Sequence, residues 1–72
     1  MLQSKELTFV VFLLYALSEE WKMLPKDVYG ILKKTDILDQ YVLRCYDTLH
    51  TLGKEYLVED ITAFVRERGI NL

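Results

Sequence analysis

The chain has 72 residues, 51% of them hydrophobic, with nine Lys or Arg against eleven Asp or Glu. That length makes a single domain, residues 1–72, near the lower size at which a chain without disulfides or metals folds alone, burying roughly 60% of what its unfolded form exposes. The slightly acidic balance provides no overall positive field for a nucleic acid backbone, and one cysteine excludes an intramolecular disulfide, which points to the reducing cytoplasm.

An apolar content this high in so small a chain implies that part of its surface is covered by a second molecule. The longest apolar run, residues 9–17, falls far short of the ~20 residues that cross a bilayer. A secretory signal is not expected either: Lys5 is followed by Glu6, and the run leads into Glu19-Glu20-Trp21 and not into small residues.

Four segments show helical period. In the first, Ser4 is placed to cap, and Leu7, Val10, Val11, Leu14, Leu17 and Trp21 recur at steps of three and four, which predicts the core-facing stripe. Phe9, Phe12, Leu13 and Ala16 form a second apolar stripe on the opposite side. That second face is expected to be covered by another helix of the chain or, in the favoured reading, by a second copy meeting it near Ala16, whose small side chain permits close approach.

Pro25 suits the first turn of a second helix, with Val28, Ile31 and Leu32 as its inner edge and Tyr29 beside it. Thr35 or Asp36 is placed to cap a third, whose stripe is Ile37, Leu38, Tyr41, Val42, Cys45 and Leu49. Gly53 marks a loop. Leu57, Ile61, Phe64 and Val65 then build the inner face of a fourth helix, with Gly69 as the residue just past its end. No segment alternates as a strand does.

Three motifs carry a family resemblance. They are E-x-x-x-L-P-K-D-V-Y-x-x-L from Glu20, D-x-L-D-Q-Y from Asp36, and Y-D-x-L-H-T-x-G-x-E-Y-x-V-E-D-I from Tyr46 to Ile61. The last contains Tyr46, Asp47, His50, Thr51, Gly53, Glu55, Tyr56, Glu59 and Asp60. On these residues the chain resembles the small bacterial domain of unknown function numbered 3791, while the first helix matches only in apolar character. The resemblance implies a compact helical protein. It also implies a partner, antitoxin-like role toward neighbouring proteins that resemble ADP-ribosyltransferases.

Chemistry is hard to assemble from these residues. Cys45 and His50 project about 140° apart on a helix, so they do not share a proton, and Cys45 lies in an apolar stripe where a thiol is inert. Asp47 and His50 stand at i, i+3 near a helix C-terminus, where an imidazolium is favoured. The reading preferred for them is a helix-ending cluster with Thr51, and the alternative is a small enzyme centred on His50. One histidine and one separated cysteine do not make a zinc site, and Glu55, Glu59 and Asp60 lack the alternating ligands of a calcium loop, so neither metal nor cofactor is expected.

Residues 25–46 also have the outline of a helix-turn-helix. Asp36, Asp39, Gln40, Arg44 and Asp47 would, however, turn mostly negative charge toward phosphate, and Lys33 with Lys34 is a small counterweight. A DNA-binding regulator is therefore the second alternative. The leading expectation is an all-α, compact four-helix domain whose antiparallel third and fourth helices are joined by a short Gly-containing loop. Its function is non-catalytic protein–protein association, as a homodimer or as the partner of a toxin-like enzyme. The docking ridge is Leu43, Tyr46 and His50, edged by Asp39 and Asp47, and the dimer face is Phe9, Phe12, Leu13 and Ala16.

Overall fold

The structure, a computed structural model, describes residues 4–72. Its elements are α1 (Ser4–Trp21), α2 (Pro25–Lys34), a π-helical turn (Leu38–Leu43), the short α3 (Tyr46–Leu49) and α4 (Lys54–Glu67). The described residues contain no strand, so the fold is all-α. At 1.5 Å per residue α1 is about 27 Å long, close to the 30 Å longest dimension of the molecule. It packs against both α2 and α4.

The core stripe of α1 is rotated from the expected one. Val10, Leu13, Ala16 and Leu17 are buried, with Leu13 only 1% and Ala16 4% exposed, whereas Leu7 and Val11, expected inside, face outward. Leu13 and Ala16 therefore do not belong to an outer dimer face. Ala16 is instead turned toward α4 of the same chain, buried at the border of the groove between the two helices. Phe9 is half-buried and Phe12 exposed, so these two members of the expected face are only partly covered.

Pro25 opens α2 at its first turn, where its missing N–H has no partner to lose. Val28 and Leu32 are buried beneath it, and Tyr29 stays exposed. Neither Thr35 nor Asp36 caps the following segment with its side chain. Thr35 instead closes α2, its Oγ1 donating to the Ile31 carbonyl at 2.8 Å, and Asp36 takes the left-handed conformation with φ 63°, which Asp adopts more readily than most residues.

The expected third helix is not a continuous α-helix. Leu38–Leu43 forms a π-helical turn, and α3 follows only after a break at residues 44–45. Bonds of the i→i+5 type widen the turn and bring residues five apart closer to one side. Ile37 and Val42 are five apart, and both are buried with Leu38 and Leu49. The apolar stripe read from the sequence thus survives on a different backbone, with Tyr41 and Cys45 half-buried at its margin.

Leu57, Val58, Ile61 and Val65 are the buried positions of α4. Its end is a Schellman motif: the Gly69 N–H donates to the Arg66 carbonyl at 3.0 Å and the Ile70 N–H to Val65 at 3.4 Å. Gly69 has φ 86°, the conformation that disfavours a side chain. A Cβ at Gly69 would meet nothing within 4 Å, so any cost there is backbone strain alone.

Denaturant melts of four variants test this packing. Leu49→Ala loses about 2–5 kcal/mol, the range for truncating a buried leucine, while His50→Ala, at an exposed position, loses much less. Gly69→Ala loses about 1–2 kcal/mol. Gly30→Ala, inside α2 with open space around its Cα, gains about 0.5–1 kcal/mol. A Gly69→Ala chain as stable as wild type would show that the left-handed cap is not needed.

Candidate interaction surface

Two sets of residues taken separately from the sequence meet on one surface. Phe9 of α1 stands edge-on to Tyr46 of α3, with ring centroids 5.4 Å apart and planes at 79°. Phe9 also lies beside Phe12 at 6.3 Å, and the imidazole of His50 stacks on Tyr46 at 4.6 Å with planes at 14°. The result is a strip, Phe12–Phe9–Tyr46–His50, running from the middle of α1 to the end of α3. Lys5 places its ammonium 5.8 Å from the Tyr46 ring, near the outer limit of a cation–π contact. A small depression of about 470 Å³ beside the strip is bordered by Lys5, Glu6, Leu43, Arg44, Tyr46 and Asp47.

The ridge residues do not share one environment. Leu43 and Tyr46 are half-buried and His50 is exposed. Among the described residues Asp47 and His50 form no ion pair; the imidazole stacks on Tyr46 instead. Asp39 is bound to Lys33 at 3.1 Å, not to the ridge, and the hydrogen bond and charge of Asp39 raise the Lys33 pKa. Asp36, Asp39, Gln40, Arg44 and Asp47 are all exposed, so the surface a helix-turn-helix would offer to DNA is the acidic one, and Lys33 is already paired.

The long motif is divided among three places. His50 lies on the strip, and Thr51 Oγ1 donates to the Thr48 carbonyl at 2.7 Å, closing α3 before Gly53. Glu55 and Glu59 border the open α1–α4 groove of about 820 Å³, together with Glu19, Glu20, Lys54 and Arg66. Tyr56 is exposed. Asp60 turns the other way and accepts a hydrogen bond from the Tyr41 hydroxyl. No group of three or more His, Cys, Asp or Glu converges on a possible metal position among the described residues, and no helix there is long and apolar enough to cross a membrane.

The sequence reading missed the polar ties that fix α4. Besides Tyr41 and Asp60, the Trp21 indole N–H donates to Thr62 Oγ1 at 2.8 Å, and Arg68 donates to the Thr35 carbonyl. Tyr41 also meets Phe64 at 4.8 Å between ring centroids. Partners 19 to 41 residues apart leave no periodic trace in the chain; only the residue types, each able to join an apolar body to a polar tip, hint at such roles.

The fold and the split of the long motif bear on the family. The sequence matches the family described as "Protein of unknown function (DUF3791)" over residues 8–68. The chain belongs to that family. The match takes in α2, the π turn, α3 and α4 whole, and all of α1 beyond its first turn. No curated protein and no solved structure matches the chain.

Tyr41 provides a pH test of the ties between the π turn and α4. Burial, then the hydrogen bond to Asp60 and the charge of that carboxylate, raise the Tyr41 pKa far above the usual phenol range. A folded pKa above the unfolded one means that the native state holds the proton more tightly. The stabilisation is therefore complete below about pH 10 and falls as pH rises beyond it. Tyr41→Phe is expected to be less stable at pH 7 and flatter between about pH 10 and 12. Equal slopes for the two proteins in urea melts across that window would rule out the Tyr41–Asp60 tie.

Proposed function

We propose that the protein is a non-catalytic protein–protein interaction module and that its docking surface is the outer face of α1, continued by the aromatic strip onto Tyr46. The observation that carries this reading is the exposure of Leu7 (52%), Val11 (43%), Phe12 (42%) and Tyr15 (60%) on one helix. Leaving a large apolar side chain in water forgoes roughly 1.5–3 kcal/mol, and the whole margin of a domain is only ~5–15 kcal/mol. A contiguous patch of this kind marks a binding surface more often than a solvated one.

The same proposal includes the finer architecture: a four-helix domain in which the π turn and α3 act as one helix, antiparallel to α4, with residues 50–53 as the joint. The burial of Leu49 before the joint and Leu57 after it supports this arrangement, as do the contacts of Tyr41 with Asp60 and Phe64. The cytoplasm is the proposed compartment, supported by the lone thiol. A toxin-like enzyme is a partner class that rests on the family resemblance alone.

Cross-linking in the cells that make the protein tests the reading. Wild type is expected to give discrete adducts, and Val11→Glu with Tyr15→Glu, which alters two exposed positions, is expected to lose them with helicity unchanged. Adducts that are absent from wild type, or identical in the variant, would remove the docking surface from α1.

A further inference from the structure

On the basis of that reading, we infer that the occupant of the α1 face is a second copy of this chain, packed antiparallel across a two-fold axis at Phe12. The outer positions Lys5, Thr8, Phe12, Tyr15 and Glu19 are spaced three, four, three and four apart, and all five are exposed. On a helix they fall within about 80° of one another, a stripe narrow enough to serve as the contact line between two helices. Residues 7–18 carry no charge. One cation, Lys5, stands at the start of the seam and one anion, Glu19, at its end.

Position 12 lies midway between positions 5 and 19. An antiparallel pair centred there sets Phe12 against its copy and Lys5 against Glu19 of the other copy, twice by symmetry. A parallel pair would set Lys5 against Lys5 and Glu19 against Glu19, and like charges at an interface are strongly discriminated against. The remaining charges at the helix ends do not obstruct the arrangement. Glu6 is half-buried away from the seam, and Glu20 borders the α1–α4 groove.

Both seam charges are free to change partner. Glu19 meets Lys54 at 3.8 Å, between exposed side chains, and Lys5 meets the Tyr46 ring at 5.8 Å and forms no ion pair among the described residues. A standard interface covers ~800 Å² per partner, about a sixth of the 4925 Å² surface of this chain. A contact carried by one helix face stands at the small end of the interface range, where weak and transient pairs lie.

Sedimentation of the purified protein from about 1 µM to about 1 mM is expected to show a monomer–dimer equilibrium. Lys5→Glu and Glu19→Lys each weaken it by about 5-fold or more, and the double variant recovers to within about 2-fold of wild type. On a Cys45→Ser background, Phe12→Cys forms a disulfide-linked dimer on oxidation and Thr8→Cys does not, because in this register the two Thr8 positions lie on opposite sides of the two-fold axis, about 12 Å apart along the helices. A dimer indifferent to the charge swap, or cross-linked as readily through Thr8→Cys, overturns the antiparallel register. A chain that is monomeric throughout overturns self-association. In that case the α1 docking surface still stands if cellular adducts of a different mass are lost in Val11→Glu with Tyr15→Glu, and falls if they are not.

Discussion

One helix that is apolar around nearly its whole circumference sets the terms for everything packed against it. α1 has about 27 Å of such surface, and among the described residues the helical elements that can cover it are α2, the π turn, α3 and α4. Each of these elements is shorter than α1 and must also bury its own stripe. Geometry allows them to enclose one side, which they do with Val10, Leu13, Ala16 and Leu17. The opposite side, from Leu7 through Val11 to Tyr15, is left to solvent. A larger domain would close over such a helix; a chain this small, whose surface is large relative to its volume, does not.

Holding the covered side requires α4 to be fixed against α1, and the apolar contacts do not act alone. Trp21 at the end of α1 is tied to Thr62, Tyr41 of the π turn to Asp60, and Thr35 after α2 to Arg68. Each tie joins α4 to a different earlier element. Their part-buried settings make them directional, so they fix the register of α4 where apolar packing alone would tolerate sliding. The π turn belongs to the same arrangement: it carries Tyr41 toward α4 while keeping Ile37, Leu38 and Val42 in the core.

Turn chemistry at Pro25 and Gly69 was legible in the sequence, whereas the part played by Thr35 and Asp36 and the rotation of α1 were not. Pro25 at the start of α2, Gly69 past the end of α4, and the stripes of α2, the third segment and α4 stand where turn chemistry and helical period place them. Each of those segments has a polar side, so one face alone can be inner. α1 has no such contrast. Two stripes satisfy the same period, and nothing within residues 4–21 says which one meets α4. The answer lay in Ala16, whose small side chain admits a neighbouring helix; the sequence shows that property but not which helix uses it. The π turn was illegible for a related reason, since Ile37, Leu38, Val42 and Leu49 fit an α-helical period well enough to hide one wide turn.

The candidate site was legible in its parts, Phe9 with Phe12 and Tyr46 with His50, but not in their union, because the contact between Phe9 and Tyr46 spans the fold. That union shapes how recognition and orientation divide. The family match begins at residue 8 and so contains Phe9, Val11, Phe12, Tyr15, Glu19, Tyr46 and His50, whereas Lys5 precedes it. In the dimer we propose, the uncharged middle of the seam provides the buried area, and the two end charges only choose between parallel and antiparallel pairing. Area and orientation are then separable properties of one helix. The same apolar middle, bordered by a different residue at position 5, would still bind a helix but would no longer specify its direction.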